Sequence, residues 1–414
     1  MSLSPEWQLA LAGTRAALDE SDRRPSSRDL LTERLDWGAI ADIAFQHRVA
    51  PLLYRSLQSL ELPPASEAAM RRLKQAYIAN AAHNAALFRA LQGVLEALAA
   101  AGIPVIALKG AVLADTIYPE RALRPMNDID LLVREEALEQ ADAALRRSGY
   151  EAEPGRWTRE ALKAAFHHWR FRSRSPGSAE IPVEVHWRLD PPSWPWQADL
   201  VALWQRAVPL SIAGAPALAL APEDLLLSLC LHICRHRFRG GLISLCDIAA
   251  VTAFHRPRID WEQLEQRATE WRAASHVAVV LGLAADLLEA AIPGSVLTCL
   301  GGSPGVSDLL ALARERTLEQ KGTIGEAGEV QLRWRRRVPR EKWAVIARTL
   351  APEATSVSLA RRLLGYVPLA WSLVRHPRAV NAIARRQADK SKLDAWCVPE
   401  GYRGQPEVRP RSFD

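Results

Sequence analysis

Hydrophobic and polar positions divide the chain into helical ends around a short stretch of strand-like alternation. Residues 5–60 repeat apolar positions at helical spacing, interrupted at Arg24-Pro25-Ser26-Ser27 and at Pro51. After Pro63-Pro64 a long helical pattern covers 66–101, rich in Ala, Leu and Arg, with Ser66 placed to begin it and Gly102 to end it. The period then changes. Segments 103–108 and 129–133 are short, apolar and partly β-branched and predict strands. Between them 110–117 predicts a short helix closed by Pro119. An amphipathic helix is expected over 135–148, stopped by Gly149. Two further strands, 167–174 and 181–189, are joined by a Ser-Pro-Gly-Ser turn at 175–178. From Pro222 the chain turns helical again over 222–236, 241–254, 260–273, 275–291 and 305–319. A further helical set is expected from about 328 to 390.

This pattern predicts an α+β fold in which a small mixed sheet is embedded in a mostly helical chain. The expected organisation is an N-terminal helical region (1–102), an α/β core (103–210) and a helical domain packed on it (211–320). A basic helical region (321–392) and a poorly ordered tail (393–414) follow. No repeat of fixed period is present. No apolar stretch reaches the roughly 18 residues a spanning helix needs, and 363–374, the nearest approach, contains Pro368.

The predicted strand 129–133 sits in Asn127-Asp128-Ile129-Asp130-Leu131-Leu132-Val133. Strand side chains alternate, so Asp128 and Asp130 share a face, with Cα atoms roughly 7 Å apart. Two adjacent carboxylates repel, and a hard cation between them removes the penalty. Glu184, flanked by Val183 and Val185 on a later strand, is placed to supply a third carboxylate. The alternative is a strand edge carrying two solvated acids; the apolar run Ile129, Leu131, Leu132, Val133 favours a buried strand. Leu108-Lys109-Gly110-Ala111 precedes the acids at a strand-to-helix turn. There Gly110 lets backbone N–H groups approach a phosphate, and Lys109 adds a point charge. Arg121 and Arg124 lie between the two motifs; Arg124 is the preferred phosphate contact, and pairing with Glu120 or Asp115 is the alternative for either.

Composition adds modest constraints. The 414 residues are 49% hydrophobic and 24% charged, enough for a sizeable core. A net charge of +6 suits an anionic partner, although much of the excess lies towards the C-terminus. Five cysteines without close spacings, and a start lacking the basic and apolar regions of a signal peptide, suggest a reducing cytoplasm.

Lys-Gly, then Arg-Pro-Met-Asn-Asp-Ile-Asp-Leu-Leu-Val, then Val-Glu-Val-His-Trp-Arg-Leu resembles the uncharacterised nucleotidyltransferase family of the polymerase-β-like superfamily. The resemblance covers about 30–255, with its specific motifs at 104–133 and 181–189. It implies a minimal nucleotidyltransferase core with added helices. The implied chemistry is transfer of a nucleoside monophosphate from an NTP to an unidentified acceptor hydroxyl, with release of pyrophosphate and with Mg²⁺, or Mn²⁺, as cofactor. By motif position Asp128, Asp130 and Glu184 match the catalytic, metal-holding acids, and Lys109 with Gly110 the nucleotide-binding turn. The acceptor is open among a small molecule, a sugar, a protein and RNA. Two departures stand out: Gly110 is followed by Ala111 rather than Gly or Ser, and the interval from Gly110 to Asp128 is long. A catalytically silent nucleotide-binding or scaffold protein, or a toxin–antitoxin partner, of the same fold is the alternative.

His232 and His236 stand one helical turn apart, with Asp247 beyond them. They are candidates for the acceptor site, as is His186, two residues after Glu184; bonds between helices are the structural alternative. His232-Ile233-Cys234-Arg235-His236 has no Glu after the first His, which excludes a zinc protease. Arg333-Trp334-Arg335-Arg336-Arg337, with Arg340, Lys342 and Trp343, could grip an anionic partner such as nucleic acid or a membrane. A solvated helix face whose Arg stems cover the core is the preferred reading.

Overall fold

A computed structural model describes residues 3–18, 30–31, 35–153, 163, 166–173, 181–302, 305–319, 392–394 and 396–397. The expected turn at 175–178, the basic segment from Arg333 to Trp343 and the stretch 363–374 lie outside the described residues. The described residues up to Leu318 belong to one compact unit.

Three helices open the chain: α1 (Pro5–Leu18), α2 (Trp37–Gln46) and α3 (Ala50–Leu57). The long α4 follows, over Glu67–Ala100. Its end is a Schellman motif: Gly102 takes φ 70°, its N–H bonds Ala99 O at 2.9 Å, and Ile103 N–H bonds Leu98 O at 3.0 Å. That stop turns the chain into β1 (Ile106–Ala107). The short α5 (Lys109–Val112) comes next and runs on as a π-helical turn over Leu113–Ile117.

β2 (Ile129–Leu132), α6 (Leu138–Arg147), β3 (Tyr150–Ala152), β4 (His168–Ser173) and β5 (Val183–His186) follow. After α7 (Leu200–Arg206), a hairpin of β6 (Val208–Ile212) and β7 (Ala215–Ala219) completes one mixed sheet of order β3-β4-β5-β2-β1-β7-β6. The β5–β2 and β1–β7 pairs are parallel and the others antiparallel.

The sheet has two chemically distinct faces. Ile129, Leu131, Val183, Val185, Trp169 and Phe171 alternate onto one, where α4 and α6 cover them with Leu91, Val94, Leu98, Leu138 and Leu145. The residues between them, Asp130, Glu184, His186, His168 and Arg170, therefore line the other. α8 (Pro222–Arg235), α9 (Leu242–His255), α10 (Trp261–Glu270), α11 (Ala274–Leu288), α12 (Gly294–Leu300) and α13 (Val306–Leu318) form the helical part that follows. No described helix is long and apolar enough to cross a membrane.

Several elements depart from the sequence expectation, the short helices α7 and α12 among them. β3 is a three-residue edge strand directly after Gly149. The β6–β7 hairpin crosses the expected end of the core at 210. Its turn residues Ala213 (φ 53°) and Gly214 (φ 78°) both take positive φ, the geometry that matches strand twist in a two-residue turn.

Candidate active site

Parallel pairing of β2 with β5 sets Asp130 opposite Glu184 and Leu132 opposite His186. Antiparallel pairing of β5 with β4 then sets His168 opposite His186 and Arg170 opposite Glu184. Register alone thus gathers two acids, two imidazoles and a guanidinium on the face away from the core. His186 Nε2 is 2.8 Å from Asp130 Oδ1 and 3.7 Å from Glu184 Oε2. His168 Nε2 is also 3.7 Å from Glu184 Oε2, and Arg170 Nε lies 3.7 Å from Glu184 Oε1.

Lys109 reaches the cluster from the turn between β1 and α5. The Leu108 N–H continues the ladder to Asp130 O at 3.0 Å, so the next residue is delivered beside the acid. Lys109 Nζ is 3.4 Å from Asp130 Oδ2, and its backbone takes φ 43°, a left-handed conformation uncommon outside glycine. Gly110 follows for a steric reason. A Cβ there would stand 2.4 Å from an Arg124 guanidinium nitrogen, and that guanidinium is not free to move. Arg124 donates to both Asp247 oxygens, at 3.2 and 2.8 Å, and Tyr118 Oη donates to the same carboxylate at 2.8 Å.

The charges respond to this packing. Burial opposes ionisation of Asp130, but the Lys109 ammonium and the His186 hydrogen bond outweigh it and hold the carboxyl well below its usual range. Glu184 is likewise held low, with the His186 bond overcoming burial. Asp128 goes the other way: burial, then the charges of Asp130 and Glu184, push it up to about 6. Asp130 ionised can only accept, so the proton of its bond to His186 sits on Nε2. His186 Nδ1 is buried and has no partner.

Two groups of three side chains bring metal-ligating atoms within 4.8 Å of one another among the described residues: Asp130 with Glu184 and His186, and His167 with His168 and His186. Asp128 is in neither group, and its link to the acids is electrostatic. The second group is weaker as a metal site, because Arg235 donates to His167 Nε2 at 2.8 Å and His168 Nδ1 lies 3.2 Å from the same atom. A guanidinium donates only, so it takes up the lone pair a cation would need. The first group keeps both carboxylates, and that donor set fits a divalent cation.

The remaining candidates fall into place around this cluster. Arg124 and Asp247, expected at the nucleotide and at the acceptor, are bonded to each other. Arg121 pairs with Asp115, its Nε 2.6 Å from the carboxylate, and Glu120 takes Arg55 and Tyr77 instead. His232 and His236 lie at the C-terminal end of α8 with ring centroids 4.4 Å apart. Burial lowers both, His236 to about 3, and the charges of Lys109 and Asp130 act on each. Arg235 joins this end of α8 to the sheet through His167 and Asp190, and within the helix it contacts His232 Nδ1 at 3.0 Å.

Sequence reasoning missed His168, Arg170 and Arg235. The alternation of 167–174 carried a signal for the first two, because Trp169 and Phe171 facing the core force His168 and Arg170 onto the other side. It missed Arg48 as well, which takes φ 59° and donates to Asn127 Oδ1 at 3.3 Å and Pro125 O at 3.4 Å, next to Asp128.

The sequence profile of the uncharacterised nucleotidyltransferase family matches residues 33–289, well over half of the chain. The chain belongs to this family. The matched segment of this nucleotidyltransferase family member contains the whole sheet, the acids and the His232–His236 helix. An antigenic nucleotidyltransferase-like protein from Paracoccidioides brasiliensis is similar over 51% of this chain and 95% of its own, at 18% identity and a TM-score of 0.32. No curated protein matches the sequence significantly.

Proposed function

We propose that the protein transfers a nucleoside monophosphate from an NTP to an acceptor hydroxyl with release of pyrophosphate, and that it depends on a divalent cation held by Asp130 and Glu184. The observation that carries this reading is the parallel register that sets Asp130 against Glu184, with Lys109 3.4 Å from Asp130. A bound cation would neutralise charge on the phosphoryl oxygens and lower the pKa of an attacking hydroxyl.

The protein's own groups do the rest. The first N–H groups of α5 and the Lys109 ammonium present positive charge to the triphosphate beside the acids. Gly110 keeps that approach open, and the Arg124–Asp247–Tyr118 bonds fix the far wall of the turn. In the metal-free protein His186 donates to Asp130 and holds its carboxylate in one orientation. Asp128, pushed up to about 6 in the metal-free protein and freed of its proton once a cation offsets its acidic neighbours, is the acid left to accept the acceptor's proton. His232 and His236, kept neutral by burial, face the acceptor side.

The test is pyrophosphate release from each of the four NTPs with Mg²⁺ or Mn²⁺, across small-molecule, sugar, protein and RNA acceptors. Turnover that disappears in Asp130→Asn and in Glu184→Gln, with the fold retained by circular dichroism, supports the reading. Nucleotide binding without turnover in the unsubstituted protein would overturn it in favour of a silent nucleotide-binding protein.

A further inference from the structure

We infer that His186 is itself a ligand to the divalent cation, and that the site therefore selects a first-row transition ion over Mg²⁺. This rests on the metal dependence proposed above and narrows the identity of the ion. Asp130 Oδ1 and His186 Nε2 stand 2.8 Å apart. Two adjacent donors on a six-coordinate ion with bonds of about 2.1 Å stand about 3.0 Å apart, and opposite donors about 4.2 Å. The 3.7 Å from His186 Nε2 to Glu184 Oε2 falls between those values. Asp130 and His186 therefore stand at the spacing of adjacent ligands, and Glu184, with its ligand atom within 4.8 Å of both, needs a side-chain adjustment to join them on one ion.

The tautomer permits it. In the absence of metal the Nε2 proton is donated to Asp130, and coordination requires that nitrogen's lone pair. The proton must move to Nδ1, which is buried and bonded to nothing, so the exchange breaks no bond there but leaves a buried donor unsatisfied, a cost of about 1–3 kcal/mol that the nitrogen–metal bond must exceed. His186 is 1% exposed, so water does not compete for the ligand position. Lys109 is the charge that does compete, and it stands at Asp130 Oδ2 rather than at the Oδ1 that faces His186.

Ligand chemistry then sets the selectivity. Mg²⁺ favours oxygen donors and gives up water reluctantly, whereas imidazole nitrogen strengthens binding of first-row transition ions. Two carboxylates alone would leave Mg²⁺ competitive. Two carboxylates and one imidazole do not.

The experiment uses the full chain, stripped of metal, without nucleotide. Calorimetric titration with MnCl₂ and MgCl₂ is expected to give a Kd at least tenfold lower for Mn²⁺. Electron spin-echo envelope modulation of the Mn²⁺ complex is expected to show coupling to one ¹⁴N nucleus. In His186→Gln the coupling should vanish and Mn²⁺ affinity should fall towards that for Mg²⁺. If that variant does not fold, retention of the coupling in both His167→Gln and His168→Gln carries the assignment. Absence of ¹⁴N coupling in the unsubstituted protein, its loss in His167→Gln or His168→Gln, or equal affinities for the two ions would overturn the inference. The outcomes separate from those of the proposed function. A nitrogen-coordinated Mn²⁺ without pyrophosphate release defeats the enzyme and leaves the metal site. Mg²⁺-driven turnover without ¹⁴N coupling does the reverse.

Discussion

The Lys109 ammonium stands 3.4 Å from the Asp130 carboxylate, in a pocket where neither side chain is more than 14% exposed. Three acids converge electrostatically here, and Lys109 is the internal cation that makes their proximity tolerable without metal. Replacing it with Met leaves the carboxylates to repel. Metal-free Lys109→Met should lose about 3 kcal/mol in urea unfolding, the lower end for a broken buried pair, because His186 still satisfies one Asp130 oxygen. A saturating divalent cation should restore more stability to this variant than it adds to the unsubstituted protein. Equal gains in both proteins would show that Lys109 and the metal do not share one role.

Gly110 and Asp247 are far apart in sequence but coupled through Arg124. The guanidinium that bonds Asp247 fills the space a Gly110 side chain would need. Gly110→Ala should cost about 1–3 kcal/mol by overpacking. In an Arg124→Met background the same substitution should cost clearly less, because the obstructing nitrogens are gone. A double-mutant cycle by chemical denaturation measures this, and additive costs would remove the steric account.

Much of this arrangement was legible locally. Alternation around Asp130 and Glu184 identified both strands and their polar face, since a period of two needs only a few residues to declare itself. Five of the helices from Pro222 to Leu318 match their expected spans to within about three residues, because Gly and Pro mark their ends, whereas the seven-residue α12 was not expected. Long-range pairing was not legible. Nothing near Arg124 indicates that its carboxylate partner is 123 residues away, and nothing near Glu184 indicates that β5 lies parallel to β2. The β6–β7 hairpin was hidden for another reason. Pro209, Pro216 and several Ala have poor strand propensity, and the pairing of β7 with β1 overrides it.

His47 offers a pH test away from the acids. Its ring is fully buried against the edge of Trp7, with centroids 4.9 Å apart, and neither ring nitrogen has a partner. Burial lowers it from 6.5 to about 4. The unfolded chain therefore takes up this proton first as pH falls. Stability from the neutral ring is complete above about 6.5 and is lost progressively towards pH 4, amounting to about 3 kcal/mol at most. The thermal midpoint should fall between pH 6.5 and 4, and His47→Phe should flatten part of that slope. The remainder belongs to the other histidines lowered by burial, His168 and His236, each to about 3, with His167, His232 and His255. An unchanged slope in His47→Phe would show that this ring does not carry the effect.

Asp128 ties metal binding to pH. Burial and its two acidic neighbours raise it from 3.8 to about 6, so the metal-free protein holds a proton there at pH 5 and has released it by pH 7.5. A cation arriving beside Asp130 and Glu184 offsets the repulsion that raised Asp128, and the proton leaves. Binding should therefore release close to one proton at pH 5 and almost none from this group at 7.5. Affinity should decline by up to tenfold for each pH unit below about 6. Calorimetric titrations in buffers of different ionisation enthalpy count those protons directly. Asp128→Asn should bind metal with less pH dependence in this window. If the variant kept the full dependence, the proton would belong to another group, and Asp128 would lose its place as the acid poised to accept a proton from the acceptor.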